Sequence, residues 1–210
     1  MPSFAYYAVG PAFSPVKAMQ RLLSESRPTR SAGRAVGFVG ALYILTSMIL
    51  ALVGAVPLAP ILIGIRPENY YFWQMIFVIP CIFLAWALAS ALIRLPGKKE
   101  KGRPAVDRTA PLAGVALAAS LFIAWIPLAL GTLFLAAGMG QAELVELLSQ
   151  PGAWQVLYVS LFVLAGMAAA VLLTLASGQG CLPKAGRGKT AAAGIAAAAA
   201  VAATFVLFIR

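Results

Sequence analysis

"YYFWQMIFVIPCIFLAWALASALI", residues 70–93, decides what kind of molecule this chain is. It carries no charged residue and opens on aromatic rings. As a helix rising 1.5 Å per residue it is long enough to cross a hydrocarbon core of about 30 Å. A barrel strand would instead show about ten residues alternating between apolar and polar, and that alternation is missing. The stretch reads as a transmembrane helix.

Four further uncharged runs of the same kind lie outward from it, at about 35–56, 110–137, 154–176 and 191–209. Pro57 and Pro60 interrupt the long uncharged run after Arg34 and are expected to end the first helix and turn the chain back toward the surface. The composition agrees. Of 210 residues, 62% are hydrophobic and 10% charged, and the mean hydropathy is +0.92, whereas a soluble domain carries about 25% charged residues. The expected fold is all-α: a polytopic bundle of five transmembrane helices over residues 35–210, preceded by a segment at 1–34 with a short amphipathic surface helix.

The net charge of +10 would suggest nucleic acid in a soluble protein, but its placement argues against that partner here. Of the 16 Lys and Arg, all but Arg66 and Arg210 fall before the first span or in the loops after the second and fourth. Short cytoplasmic loops hold such an excess. The reading is a bacterial inner-membrane protein with a cytoplasmic N-terminus and an exported C-terminus. The loop at 140–153 holds Glu143 and Glu146 and no basic residue, as an exported loop can. In "RLPGKKEKGRPAVDRT", residues 94–109, Lys98, Lys99, Lys101 and Arg103 are candidate contacts for anionic lipid, at about 1 kcal/mol per nearby basic side chain.

The N-terminal "SPVKAMQRLLSES", residues 14–26, has a capping Ser14 and a first-turn Pro15. Val16, Met19, Leu22 and Leu23 recur at near-helical spacing, with Lys17 and Arg21 beside them. This pattern fits a helix lying on the membrane surface. It also fits a docking helix for a cytosolic partner.

The residues that carry most catalytic chemistry are missing. There is no histidine, hence no Ser-His dyad and no imidazole ligand. No ionisable residue lies within a span, although such residues mark most proton and ion pathways. The polar candidates at depth are Thr46, Ser47, Gln74, Ser120 and Thr132. "GRGKT", residues 186–190, echoes a phosphate-binding loop, but Pro183 stands where a glycine is needed and no buried strand precedes it. Cys81 reads as a small packing residue and Cys181 as a free thiol beside the membrane. Neither an enzyme nor a bound cofactor or metal is expected.

Helix packing is the remaining signal. The fifth span is nearly all small residues, which lets backbones approach closely, so it is expected to be buried within the monomer or in a homo-oligomer. Gly114 and Ala118 offer the same spacing in the third span, and Pro80 and Pro127 should kink the second and third. In "RPENYYFWQ", residues 66–74, the first residues read as a turn in water. Tyr70, Tyr71 and Trp73 read as anchors at the membrane–water interface, joined at that level by Trp154.

"YYFWQMIFVIPCIFLAWALASALIRL", residues 70–95, resembles the corresponding helix of bacterial Yip1-domain proteins, with its tyrosine-rich entry, mid-helix proline and small-residue exit. "FSPVKAMQRLL", residues 13–23, is similar to the short helix that precedes that family's first span. The resemblance covers roughly residues 12 to 135 and departs at "PGKKEKGRP", residues 96–104, where relatives carry a glycine-rich turn. It implies a five-span architecture and no catalytic residues. Eukaryotic relatives act with small GTPases through a longer N-terminal region, a role that does not carry over. The functional expectation is a non-enzymatic membrane protein serving membrane organisation, assembly or scaffolding of a membrane or cytosolic protein. The alternative is a small transporter or channel lined by the proline-kinked helices.

Overall fold

The computed structural model describes residues 4–56, 66–95, 106–180 and 186–208. The helices are α1 (Phe4–Phe13), α2 (Pro15–Leu23), α3 (Pro28–Leu52), α4 (Tyr70–Arg94), α5 (Val106–Ala136), α6 (Gln141–Ser149), α7 (Ala153–Gly180) and α8 (Arg187–Phe208), with a 3₁₀ turn at Pro67–Asn69. No strand occurs among the described residues. Five of the helices, α3, α4, α5, α7 and α8, are long and apolar enough to cross a membrane. The chain is an all-α membrane bundle.

The helix ends show where charge and helix part company. α3 starts at Pro28, a first-turn residue with a pre-set φ, so Arg30 and Arg34 are already helical. The expected start near residue 35 marks only where the apolar run begins. α3 stops at glycine and before the prolines. Gly54 adopts φ +68°, its N–H bonds Ala51 O at 3.2 Å, and Ala55 N–H bonds Leu50 O at 3.0 Å. That pair of bonds is the Schellman closure, which needs a left-handed residue. Gly138 ends α5 the same way at φ +96°, with Met139 N–H on Phe134 O at 3.1 Å. Pro57 and Pro60 lie outside the described residues. α4 runs through Pro80, and α5 runs through Pro111 and Pro127.

The spans close into a ring. α3 packs on α4 and α5, α5 on α7, α7 on α8, and α8 on α4, while α4 also reaches α5 and α7. α5 is the enclosed member: every residue from 111 to 120 is buried. α1 lies against α3 and α5, and α2 also touches α5 and α7, at the end where α3 begins. At the opposite end α6 covers α5 and α7.

Two features at the ends correct expectations. α2 is amphipathic as read, but Ala18, Met19 and Leu22 are fully buried, and Met19 and Leu22 belong to the same core as Val36, Leu112 and Leu173. Its apolar side therefore meets the bundle, and neither a membrane surface nor a cytosolic partner is needed to cover it. Val16 remains outside, 43% exposed. α1 went unforeseen because "FAYYAVGPAF" shows no polar face, yet Tyr7, Ala8 and Pro11 pack inward. The exported loop expected at 140–153 contains α6, which buries Leu144 and leaves Glu143 and Glu146 exposed.

Candidate functional site

Three of the five polar candidates converge between α3, α4 and α5. Ser47 Oγ donates to Gln74 Oε1 at 3.0 Å and lies 2.9 Å from the Tyr43 carbonyl. Thr46 Oγ1 lies 2.9 Å from the Leu42 carbonyl and accepts from Trp125 Nε1 at 2.9 Å. Tyr43 OH donates to Leu121 O at 3.1 Å. The cluster thus ties three helices with hydrogen bonds in an interior where an unmade one costs several kcal/mol. Ser120 and Thr132 stand apart and return their hydroxyls to Ala116 O and Leu128 O. Tyr43 and Trp125 were missed by the sequence reading, although a buried ring with an O–H or N–H needs a partner.

A second junction centres on Trp86 of α4. Its Nε1 donates to Ala110 O at 2.7 Å, and its ring lies on Gly114 so closely that a Cβ there would sit 2.7 Å from Cε2. Gly33 of α3 faces the same ring. The spacing at Gly114 therefore seats an indole; it does not bring a second backbone close. That close approach occurs at Gly194 of α8, where a Cβ would come within 2.4 Å of Thr174 Cα.

At the end where α3 begins, Glu25 gathers two donors. Tyr7 OH bonds its Oε1 at 2.7 Å, and the Ser31 hydroxyl bonds Oε2. Burial, and then the carboxylate beside it, push the Tyr7 phenol above the ordinary tyrosine range. Arg21 stacks over Tyr6, 5.3 Å from its centroid. These contacts hold α1 against the turn between α2 and α3.

At the far end the aromatic residues divide. Trp73 and Trp154 are exposed, at 40% and 44%, and Tyr71 is half-buried. Tyr70 retains only 4% exposure, so it is a core residue and not a ring presented to the interface. The reason is register: Tyr70 shares a helical face with the buried Gln74 and Val78. Trp154 meets Phe134 edge-on at 5.3 Å, over an apolar cleft walled by Leu130, Leu144, Leu148 and Tyr158. The cleft's free volume is about 10 Å³, roughly that of one water.

Other sequence candidates fall as follows. Lys98, Lys99, Lys101, Arg103 and Cys181 lie outside the described residues. Cys81 is buried. "GRGKT" runs into the first turn of α8. Among the described residues no three of His, Cys, Asp or Glu gather as metal ligands do. Ser177 on α7 keeps a buried hydroxyl with no partner among the described residues.

Comparison with known protein families, characterised proteins and solved structures yields no match.

Proposed function

We propose that the protein is a non-enzymatic, multi-pass protein of a bacterial inner membrane, Yip1-like in architecture, that organises or assembles other membrane components. The observation that carries this reading is the use made of the buried polar side chains. Thr46, Ser47, Gln74, Tyr43 and Trp125 bond one another or nearby carbonyls. Groups so engaged join helices, whereas a transport path needs polar groups turned toward a solvated route. The absence of histidine and of intramembrane acids from the sequence supports the same reading.

On this proposal the N-terminus is cytoplasmic and the C-terminus exported, as the distribution of Lys and Arg suggests. A periplasmic phosphatase fused at residue 145 should be active, and one fused at residue 100 inactive. The reverse pattern would refute the orientation. The basic loop with Lys98, Lys99, Lys101 and Arg103 is proposed to lie against anionic lipid on the cytoplasmic face.

The function itself is tested by purifying the full chain from its native membrane and identifying what travels with it. Stoichiometric recovery of a specific membrane or cytosolic protein is the expected result. No stable partner, together with substrate-specific uptake in proteoliposomes, would replace this reading with the transporter.

A further inference from the structure

The outward face of α3 changes character along its length. Positions 27, 30, 34, 37, 41, 45, 48 and 52 follow three- and four-residue spacing and so line one side of the helix. Arg27, Arg30 and Arg34 head this line and are all exposed. Beneath them come Gly37 and Ala41, then Leu45, Met48 and Leu52 at 48%, 42% and 80% exposure. The opposite side of the same helix, from Ala32 to Leu50, is buried in the bundle.

Depth follows from the helical rise. From Arg34 to Leu52 is about 27 Å, close to the roughly 30 Å of a hydrocarbon core. Arg34 therefore stands where acyl chains give way to headgroups. Arg30 lies about 6 Å further out, within the headgroup layer, and Arg27 about 10 Å, just beyond it and within reach of its long side chain. This assignment holds whichever side of the membrane the N-terminus occupies.

The charge on this face has no match among the described residues. Among the described residues, none of the three arginines forms an ion pair. Glu25, the nearest acid in sequence, accepts from Tyr7 and Ser31. Below the arginines, a Cβ added at Gly37 would meet nothing within 4 Å, so the face is notched just under the charges.

We propose that this stripe is a docking face for an anionic phospholipid. The phosphate lies between the guanidinium groups of Arg30 and Arg34, with Arg27 closing over the headgroup, and an acyl chain descends across Gly37 and Ala41. Guanidinium forks suit a phosphate better than point charges do, and Arg30 and Arg34 sit on the helix itself, with Arg27 at its N-cap. The inference does not depend on the scaffolding role or on the Yip1 resemblance.

The test uses the full chain, purified in detergent and stripped of lipid, then titrated with phosphatidylglycerol or phosphatidylcholine and read by native mass spectrometry. Phosphatidylglycerol is expected to bind about tenfold more tightly, and the triple variant Arg27→Gln/Arg30→Gln/Arg34→Gln to lose that preference. Arg187→Gln/Lys189→Gln should keep it. Equal binding of the two lipids by the unaltered protein overturns the proposal, as does a triple variant that still prefers phosphatidylglycerol. Displacement of the lipid by excess inorganic phosphate would mark a free-anion site and also overturn it. If the triple variant does not fold, Arg30→Gln and Arg34→Gln singly are each expected to weaken phosphatidylglycerol several-fold, and unchanged affinity in both is disproof.

Discussion

α5 and α8 are both rich in small residues, yet the bundle treats them oppositely. In α5, 61% of the most apolar stretch is buried, against 33% in α8. The difference lies in how many neighbours each helix has. α5 touches α1, α2, α3, α4, α6 and α7, whereas α8 packs chiefly on α4 and α7. α8 presents Ala193, Ala197 and Val201 inward and leaves Ala192, Ala196, Ala199 and Ala203 outside. Small side chains permit a close crossing along one line, here Gly194 against Thr174, without requiring the rest of the helix to be enclosed.

The largest effect in this comparison should come from the side chain that seats α5. Trp86→Ala removes a half-buried indole from between Gly114 and Gly33 and is expected to cost about 3–5 kcal/mol. Thermal unfolding in detergent should show a marked drop in Tm, and an unchanged Tm would mean α5 is held by its other neighbours alone. Gly194→Ala comes next. Its Cβ would meet the Thr174 backbone, which cannot rotate away, so α7 and α8 must separate at a cost of about 1–3 kcal/mol. Gly40→Ala is a sharper control, because its Cβ would meet the mobile Cδ1 tip of Ile79 and should be milder.

Tyr7→Phe should cost about 1 kcal/mol, since Glu25 keeps Ser31 and access to water. Limited proteolysis is the closer measure here: cleavage within residues 4–23 should quicken while the spans stay protected. The smallest effect is expected for Ala199→Val on the outward face of α8, within about 0.5 kcal/mol. A fall in Tm or a changed oligomeric state in that variant would show the face to be covered, and the contrast between the two helices would narrow.

The five spans were legible because long uncharged runs have few other uses, and α4 matched its expected bounds to within a residue. α3 began earlier than read because Arg30 and Arg34 can reach water from inside a helix. Gly54, rather than the prolines, stops it, a choice that depends on backbone bonds and not on hydropathy. α1 was illegible for a different reason. A helix covered by protein on one side and close to a membrane on the other need show no polar face. Of the polar cluster, Thr46, Ser47 and Gln74 stood out as rare polar residues in apolar runs, while Tyr43 and Trp125 counted as hydrophobic and so went unnoticed. That Tyr70 faces the bundle was not legible, because ring type alone does not say which side of the helix a residue occupies.

The docking of α1 on α5 also sets an order of events during synthesis. α1 is made well before α5, yet its seat includes that third span, whose last residue follows more than a hundred positions later. At about 5–20 residues per second, that is a wait of roughly 6 to 25 s. Through that interval α1 has α2 and α3 to pack on but lacks the part of its seat that α5 supplies. α1 is made early relative to its seat and finished late, and its closure on α5 reports that the third span is in place.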